Sequence, residues 1–403
     1  MKVLMFGWEF PPHNWGGLGT ACYGLTKGLS KKGADITFVL PKGASSHDHV
    51  NVVAADELYI DNKKLHKKYV NSLLLPYLTE NEYNVKIKAL GYGNSIQGDL
   101  YGKDLCEEVN KYAEKASIIA QFEDFNLIHC HDWMTFKAGI KAKAVSGKPM
   151  IAHVHSTDFD RTGGHPNQLV YDMEREGMHK ADKVIAVSNY TKDMIVRHYG
   201  IDPAKIEVVH NGVDHQTGYR KHEEKEEQIV LFLGRLTLQK GPDYFIEVAH
   251  KVSQIMPHVK FVVAGAGEMY RKLVDRAAEL GLGRNVMFTG HLTGADIDKA
   301  YQMADLYVMP SVSEPFGITP LESLKNNTPV IISKQSGVSE VLTNVFKVDF
   351  WDIDEMTNKI VGVLSYNNLK SSLAENGYRD VEKITWDSAA DKCMAIYSNL
   401  TGA

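Results

Sequence analysis

Cysteine is scarce in this sequence. Its 403 residues include only Cys22, Cys106, Cys130 and Cys393, and these are widely separated, with no CxxC pair. Disulfide-rich domains and zinc ribbons both use closely spaced cysteines, so neither class is indicated. We therefore expect reduced thiols and a cytoplasmic protein.

Long apolar runs are lacking as well. No window approaches the roughly 20 apolar residues that a membrane-spanning helix requires. The apolar stretch in the first twelve residues is too short for the core of a signal peptide. We expect no integral membrane segment and a mature protein that starts at Met1.

The chain also has little excess charge of either sign. Its 45 Lys and Arg residues and 50 Asp and Glu residues are mixed along the sequence, and the formal net charge is -5. Duplex nucleic acid is bound by an extended basic surface, which such a sequence does not supply. Nucleic acid is therefore not an expected partner, and any phosphate site must be local.

What the sequence does contain is a repeated α/β pattern. Short β-rich apolar runs alternate with helical stretches, which is typical of parallel sheets built from βαβ units. The pattern occurs twice, as expected for a chain of about two domain lengths. The first set of strands is predicted at residues 3–6, 35–40, 127–130, 150–154, 184–187 and 206–209, and the second at 229–233, 259–264, 286–289, 306–309 and 330–332.

A polar, charge-dense segment separates the two sets. Residues 215–228 carry too few apolar side chains to pack, so they are interpreted as an interdomain connector. This places an N-terminal domain at 1–218 and a C-terminal domain at 225–385. After the second domain, one helical stripe is formed by Trp386, Ala390, Cys393, Tyr397 and Leu400, which predicts a closing helix. Residues 63–82 and 87–102 give no clear pattern.

The first candidate site is a glycine-rich turn. Gly16, Gly17 and Gly19 lie between strand 3–6 and a helix predicted at 20–32. Without Cβ atoms they would let the backbone N–H groups approach an anion such as a diphosphate. The alternative is a tight turn that needs positive φ. A dinucleotide fingerprint fits poorly because Cys22 occupies the place of the third glycine, so a transferase is favoured over a nicotinamide dehydrogenase.

A second candidate site follows strand 229–233. The sequence GRLTLQKG places Arg235 and Lys240 at the carboxyl end of that strand, where ligands of open α/β sheets bind. An arginine and a lysine together would offset the negative charge on a departing diphosphate. The alternative is a pair of solvated loop cations.

Two glutamates follow strand 306–309. Because Pro315 and Pro320 restrict where a helix begins, Glu314 is predicted in a loop and Glu322 inside a helix that starts near residue 317. The helical rise would separate the two carboxyls by about 12 Å, too far for a glycosidase pair. Both carboxylates suit sugar or ribose hydroxyls. The alternative for Glu322 is an exposed helix position.

These motifs carry a family resemblance. GRLTLQKG and SEPFGITPLE resemble the retaining glycosyltransferases of family 4. The N-terminal half resembles the glycogen and starch synthases in GGLG, in HDW at 131–133, in VHS at 154–156, in SNYTKDMI at 188–195 and in NGVD at 211–214. The resemblance implies the GT-B fold: two Rossmann-like parallel-sheet domains face a central cleft and close over the donor, and helix 386–403 crosses back to the N-terminal domain.

The resemblance also implies roles for individual residues. Arg235 and Lys240 correspond to a diphosphate-binding pair, Glu314 to a partner of sugar hydroxyls, and Glu322 to a ribose partner. His155 corresponds to the histidine beside the donor sugar. The remaining donor-binding set consists of Gly16, Gly17, Leu18, Gly19, Asp132, Asn211, Leu292, Phe316, Gly317 and Ile318, with Leu292 in the loop where the family binds the base.

In this family, reaction with retention is thought to proceed on one face of the sugar, and the leaving phosphate helps to deprotonate the acceptor. The resemblance therefore implies no protein nucleophile, no metal and no cofactor, since the nucleotide-sugar is a substrate. Four histidines alternate along two predicted strand ends, at His129, His131, His153 and His155. We interpret them as hydrogen-bonding groups rather than a metal site.

The expected function is that of a glycogen (1,4-α-glucan) synthase using UDP- or ADP-glucose. Asn14 stands where many bacterial and plant synthases have a lysine, so UDP-glucose, ADP-glucose and GDP-mannose all stay open. One alternative is a family 4 hexosyltransferase with a small-sugar, cell-wall or lipid-linked acceptor, for which the basic run 63–68 is a candidate membrane face. Another is a catalytically silent sugar-binding module, against which the intact charged residues argue.

Overall fold

The structure is a computed structural model that describes residues 1–12, 16–42, 47–55, 58–61, 64–67, 103–214 and 227–402. The chain divides into two compact units. Unit 1 contains Met1–Asp158, Pro166–Gly212 and Trp386–Ala403, and unit 2 contains Phe159–His165 and Val213–Thr385. The domain boundary predicted between residues 218 and 225 lies outside the described residues, as does most of the predicted connector.

Unit 1 is built on a parallel sheet of seven strands in the order β3-β2-β1-β6-β7-β8-β9. A separate antiparallel pair is formed by β4 and β5. The strands are β1 (Lys2–Phe6), β2 (Asp35–Leu40), β3 (Asn51–Ala54), β4 (Leu58–Asp61), β5 (Lys64–Lys67), β6 (Leu127–His131), β7 (Met150–Val154), β8 (Lys183–Ala186) and β9 (Ile206–Val208). All residues of β6 and β7 are buried, as expected for inner strands of a sheet covered on both faces.

Helices follow most strands of this sheet. They are α1 (Gly17–Lys31), α2 (Lys103–Phe122), α3 (Trp133–Ser146), α4 (Asp158–Arg161), α5 (Gln168–Lys180) and α6 (Asn189–Tyr199). Of α4 only Asp158 belongs to unit 1, and its other residues belong to the Phe159–His165 segment of unit 2. Local sequence sets their ends. The Ser188 hydroxyl accepts the N–H of Thr191 at the start of α6, and Gly200 ends that helix in the left-handed conformation.

Unit 2 contains a six-stranded parallel sheet in the order β12-β11-β10-β13-β14-β15. Its strands are β10 (Ile229–Leu233), β11 (Lys260–Ala264), β12 (Val286–Gly290), β13 (Leu306–Met309), β14 (Val330–Ser333) and β15 (Phe346–Val348). Its helices are α7 (Pro242–Ile255), α8 (Tyr270–Glu279), α9 (Ala295–Met303), α10 (Thr319–Lys325), α11 (Ile353–Ser365) and α12 (Asn367–Val381). Apolar side chains of β10, β11, β13, α7 and α11 form its core.

The final helix, α13 (Trp386–Thr401), belongs to unit 1 although the chain before it belongs to unit 2. Of the predicted stripe, Trp386, Ala390, Cys393 and Tyr397 are buried, and Leu400 is half-buried. The helix packs against α1, where Gly24 leaves room for the Trp386 indole. A Cβ atom at Gly24 would lie 2.1 Å from Trp386 Cε2.

Each predicted strand is present, with ends that differ from the prediction by at most one residue. Strands β3, β4, β5 and β15 were not predicted. Helix α1 starts at Gly17 rather than residue 20, because Gly16 takes the extended N-cap conformation and the glycines after it continue into the first turn. The described part of the basic run 63–68, Lys64–Lys67, forms strand β5. None of the helices in the described part of the chain is long and apolar enough to cross a membrane.

Candidate functional site

The predicted site residues fall into two groups, one in each unit, and most of them follow strands where the sheet order reverses. In unit 1 the chain adds β2 and β3 on one side of β1 and then places β6 on the other side. In unit 2 the same reversal occurs between β10 and β13. Ligands of open α/β sheets bind beyond the carboxyl ends of the strands at such switch points.

The unit 2 group is organised around an ion pair. Lys240 Nζ donates to Glu314 Oε2 at 2.5 Å, and the Ser311 hydroxyl donates to the same oxygen at 3.1 Å. Glu314 is only 6% exposed, so its charge requires these partners. The structure thus brings together a cation predicted for the diphosphate and a carboxylate predicted for sugar hydroxyls.

A glycine after Lys240 permits this approach. Gly241 has φ +63°, and a Cβ atom there would lie 2.2 Å from the carbonyl oxygen of Pro310. Only glycine fits such a contact with a left-handed backbone. The loop after β10 therefore lies directly against the end of β13, which places Lys240 beside Glu314.

Arg235 lies in the same loop and is exposed. One guanidinium nitrogen is 3.5 Å from the side-chain oxygen of Gln239, at the outer limit for a hydrogen bond. Gln239 itself is buried, and its backbone carbonyl accepts the N–H of Val312 at 2.9 Å. This backbone bond joins the loops that carry Lys240 and Glu314.

Glu322 lies inside α10, and Glu314 lies in the loop before it, as predicted; the helix starts at Thr319. Glu322 is half-buried rather than exposed, and the Tyr301 hydroxyl donates to its Oε2 at 3.2 Å. Burial raises the pKa of Glu322, and the Tyr301 hydrogen bond opposes that rise. The two glutamates are thus held by different partners.

The segment between the glutamates packs closely. Phe316 is 2% exposed, and Ile318 is half-buried. Gly317 has φ +100°, and a Cβ atom there would lie 3.1 Å from Glu314 Cγ. Ser313, directly before Glu314, donates to Asp160 Oδ1 at 2.5 Å, and both side chains are buried. Asp160 belongs to the Phe159–His165 segment of unit 2.

In unit 1 the structure brings Asp132 and His155 together. Asp132 Oδ1 accepts the backbone N–H of His155 at 2.7 Å and that of Ser156 at 3.3 Å. Asp132 has φ +62°, which is rare outside glycine and costs of order 1–3 kcal/mol. The two hydrogen bonds hold this strained residue in place, at the end of β6.

The four alternating histidines form a stack on one face of β6 and β7. His129 and His131 have ring centroids 4.5 Å apart, and His153 and His155 have centroids 4.2 Å apart. Two cross-strand hydrogen bonds connect the rows: His129 Nε2 to His153 Nδ1 at 3.1 Å, and His131 Nδ1 to His155 Nε2 at 3.0 Å. Burial lowers the pKa of all four rings, that of His129 to about 3, so they are neutral at neutral pH.

Nitrogens of His129, His131 and His153 lie within 4.8 Å of one another, and Cys22, His131 and His155 form a second such group. A metal ion needs ligand lone pairs that converge at about 2.1 Å. The lone pairs of His129 and His131 lie in ring planes only 17° apart and separated by the stacking distance, so they do not converge. Hydrogen bonds also occupy both ring nitrogens of His129.

The glycine turn contains a carboxylate that the sequence analysis did not consider. Glu9 Oε2 accepts the N–H of Gly19 at 3.2 Å, and a Cβ atom at Gly16 would lie 2.4 Å from the same oxygen. Gly16 and Gly17 are exposed, and Leu18 and Gly19 are buried. An anion approaching Gly19 would therefore compete with Glu9, whereas Gly17 faces open space.

The two remaining predicted residues lie farther along the chain. Asn211, which follows β9, is 8% exposed. Leu292 is half-buried and follows β12, the edge strand two places from β10. Their predicted donor contacts stay predictions.

Sequence reasoning missed the partners of the predicted residues: Glu9, Asp160, Tyr301 and Ser311. Glu9 carries one usable signal, because it is the only acidic residue before Asp35 and sits in the apolar run GWEFPP. Ser311 and Ser313 alternate directly before Glu314, which also marks them. Asp160 lies four residues after VHS, but neither Asp160 nor Tyr301 belongs to a motif, so the sequence gives no signal for either.

Two family models match the chain in succession. The model described as Glycosyltransferase Family 4 matches residues 105–217, and the one described as Glycosyl transferases group 1 matches residues 216–380. The chain belongs to glycosyltransferase family 4. The glycine turn of this family 4 glycosyltransferase precedes the matched residues, and all predicted unit 2 residues lie within them.

Characterised and uncharacterised relatives cover most of this family 4 chain. An uncharacterised glycosyltransferase of Methanocaldococcus jannaschii is 28% identical over 98% of both chains. The glycogen synthase of Mycobacterium tuberculosis is 25% identical over 85% of this chain and 80% of its own. A D-inositol 3-phosphate glycosyltransferase of Segniliparus rotundus is 26% identical over 68% of this chain and 66% of its own.

Solved structures confirm the GT-B fold. The sucrose-phosphate synthase of Thermosynechococcus elongatus has a TM-score of 0.76 at 18% identity and covers 100% of this chain and 99% of its own. Anabaena HepE, solved with UDP-glucose, has a TM-score of 0.69 at 16% identity and covers 98% of this chain and 100% of its own. At these identities the similarity concerns the fold alone.

Proposed function

We propose that this family 4 glycosyltransferase is a retaining, nucleotide-sugar-dependent hexosyltransferase, and specifically a glycogen synthase that extends a 1,4-α-glucan from UDP- or ADP-glucose. The observation that carries the proposal is the Lys240–Glu314 ion pair at the β10/β13 switch point. It places a cation and a hydroxyl-binding carboxylate next to each other where a sheet of this type binds its ligand.

Lys240 and Arg235 would act on the leaving diphosphate. Lys240 exchanges its contact with Glu314 for phosphate oxygens, and the exposed Arg235 guanidinium adds a bidentate contact. Both charges offset the negative charge that grows as the glycosidic bond to phosphate breaks. Glu314, released from Lys240, accepts hydrogen bonds from hydroxyls of the donor sugar.

Glu322 would bind the ribose, oriented by the Tyr301 hydroxyl at its Oε2. Tyr301 contacts only Oε2 of this carboxylate, so Oε1 would accept the hydrogen bond from a ribose hydroxyl. Phe316, Gly317 and Ile318 complete this part of the donor site, and Leu292 contributes to the base site.

In unit 1 we assign the donor sugar to His155, supported by Asp132, and the diphosphate to the exposed start of the glycine turn at Gly16 and Gly17. Leu18, Gly19 and Asn211 complete the unit 1 set. The reaction proceeds on one face of the sugar and the leaving phosphate deprotonates the acceptor hydroxyl, so no protein nucleophile, metal or cofactor takes part in this proposal.

The choice of glucan rests on the relatives and on the N-terminal motifs. The Mycobacterium tuberculosis glycogen synthase aligns with most of this chain, and HepE of the same fold was solved with UDP-glucose. The few, widely separated cysteines fit a reducing compartment, so we propose that the protein is cytoplasmic.

A second candidate keeps the donor site and changes the acceptor to a small sugar, a cell-wall intermediate or a lipid-linked saccharide. It is favoured by the D-inositol 3-phosphate glycosyltransferase, whose identity to this chain equals that of the glycogen synthase within one percentage point. The donor-binding residues would be unchanged in this alternative.

Product formation from UDP-glucose, ADP-glucose and GDP-mannose, each with and without glycogen, tests the proposal. Glucan extension with one glucose donor is the expected result. Slow hydrolysis of a donor without extension would keep the transferase and move the acceptor to the second candidate. A protein that turns over none of the three donors and binds none of them would contradict both.

A further inference from the structure

The histidine stack of unit 1 is connected to the C-terminal helix. The Tyr397 hydroxyl on α13 lies 2.5 Å from His129 Nδ1, and its ring stands edge-on to that imidazole. Tyr397 is fully buried by the packing of α13 on α1. A side chain 268 residues away in sequence therefore ends the hydrogen-bonded row that begins at His129.

The hydrogen bonds from Tyr397 through His129 to His153 are all donated in one direction only if one end of this row is fixed. A neutral imidazole has one donor nitrogen and one acceptor nitrogen, so its tautomer follows from its partners. At the far end, His153 Nε2 has no hydrogen-bond partner among the described residues. The tautomers of His129 and His153 are therefore set from the Tyr397 end.

Tyr397 is the donor in this contact because a phenol is a much stronger acid than a neutral imidazole N–H. Its O–H points at His129 Nδ1, which leaves the ring proton of His129 on Nε2. That proton is donated to His153 Nδ1, which in turn leaves the ring proton of His153 on Nε2. One hydroxyl thus orders two imidazoles.

The ordered row supports His155 directly. The His153 ring stacks on the His155 ring at 4.2 Å and 24°. His131 Nδ1 holds the edge of His155, and Asp132 holds its backbone N–H. A rotation of His153 would shift the surface against which His155 packs, because interiors of this density transmit small displacements.

We propose that Tyr397 is a positioning residue for His155: it fixes the tautomers of His129 and His153 and so the orientation of the ring stacked on His155. The kinetic part of this inference rests on the proposed function, since it assigns His155 to the donor sugar. The tautomer part stands on the geometry of unit 1 alone.

Nitrogen-15 NMR of protein with labelled histidines tests the tautomer part, because long-range proton correlations distinguish an Nε2–H ring from an Nδ1–H ring. Spectra of His129→Gln and His153→Gln proteins assign the two rings. In the natural protein both rings are expected in the Nε2–H form. An Nδ1–H form for either ring would overturn the inference without any activity measurement.

Tyr397→Phe removes the hydroxyl and keeps the ring. We expect the signals of His129 and His153 to lose the pure Nε2–H pattern. With the donor that the product-formation assay identifies, we expect kcat to fall about tenfold with an unchanged KM, as for the loss of one buried hydrogen bond. Tyr112→Phe is the matched control: its buried hydroxyl donates to backbone carbonyls of Val39 and Gly7, outside the stack.

The control is expected to leave both the histidine tautomers and kcat unchanged. Unaltered tautomers in Tyr397→Phe, or altered tautomers with an unaltered kcat, would overturn the positioning role. If the natural protein turns over no donor, the proposed function fails, and the NMR result still decides the tautomer assignment.

Discussion

At the scale of single residues, the site depends on charges that neutralise one another. Lys240, Glu314 and Ser311 form one small network, and Glu322 and Tyr301 form another. In both cases a carboxylate with little exposure keeps its partners within hydrogen-bond distance. Ligand binding in unit 2 must therefore exchange existing contacts, and only Arg235 among the predicted charges starts out exposed.

Lys240→Ala tests the phosphate role. We expect kcat/KM to fall by about 2–4 kcal/mol in transition-state stabilisation, roughly 30- to 1000-fold, because a fixed cation is lost where charge develops. Lys251→Ala is the matched control, since Lys251 is also ion-paired but lies on the exposed side of α7. A Lys240→Ala protein that is folded and as active as the control would refute the assignment.

The histidine stack predicts a dependence of stability on pH. Burial lowers the pKa of His129 from its ordinary 6.5 to about 3, and lowers those of His131, His153 and His155 as well. Between the ordinary pKa of a histidine and its lowered pKa in the folded protein, the unfolded chain binds a proton that the folded chain does not. Stability is therefore highest above pH 6.5 and falls on acidification, by about 1.4 kcal/mol per pH unit for each such group.

Urea unfolding at pH 7.5, 6.5 and 5.5 measures this effect. In a Trp351→Phe background all remaining tryptophans belong to unit 1, so their fluorescence reports that unit. His129→Asn should reduce the slope of the unfolding free energy against pH by the contribution of about one histidine. His179→Asn, which alters an exposed histidine of the same unit, is the comparison protein. A unit 1 midpoint that stays constant across this range would contradict the prediction.

At the scale of elements, glycines at a helix–helix contact are as important for packing as the apolar stripes. Helix α1 faces α13 through Gly24 and Gly28, and a Cβ atom at Gly28 would lie 2.7 Å from the Trp386 carbonyl oxygen. The two helices approach closely only because those positions carry no side chain. The Trp386 indole then fills the space over Gly24.

Gly24→Ala should destabilise unit 1 by about 1–3 kcal/mol, because the new methyl group would overlap the buried Trp386 ring. Gly362→Ala is the control, because Gly362 lies within α11 with open space at its Cβ position. There alanine should stabilise by about 0.5–1 kcal/mol, as expected from helix propensity. Thermal unfolding of both proteins decides the matter, and equal effects would show that α1 and α13 do not pack as described.

Most elements could be predicted from the sequence because burial on both faces gives the inner strands continuous apolar runs, as in β6 and β7. Strand β15 is only three residues long and contains Lys347, and β3 begins with Asn51, so neither showed such a run. The motif residues were also predictable. Their partners were not: Tyr301 reaches Glu322, and Tyr397 reaches His129, only through tertiary folding.

At the scale of the whole molecule, neither unit is a single continuous stretch of the chain. Unit 1 contains residues from both ends of the described chain, and unit 2 contains the segment Phe159–His165 in addition to Val213–Thr385. Each unit therefore depends on segments that are separated by the other unit in sequence. Removal of one such segment should affect its own unit selectively.

A protein ending at Thr385 tests this dependence. Loss of α13 uncovers the surface of α1 and removes the Tyr397 hydroxyl from the histidine stack, so we expect faster amide hydrogen exchange in β1, β2 and β6. Amides of β10, β11 and β13 should exchange as in the natural protein. Equal acceleration in both sheets, or none in either, would speak against the assignment of α13 to unit 1.

The position of Tyr397 also has a consequence for biosynthesis. His129 is synthesised 268 residues before Tyr397, a delay of roughly 13–54 s at elongation rates of about 5–20 residues per second. Throughout that interval the α1 surface awaits its covering helix while the whole of unit 2 is being made. The domain whose synthesis begins first is thus completed second, and a nascent chain released early would carry an uncovered apolar surface to chaperones and proteases.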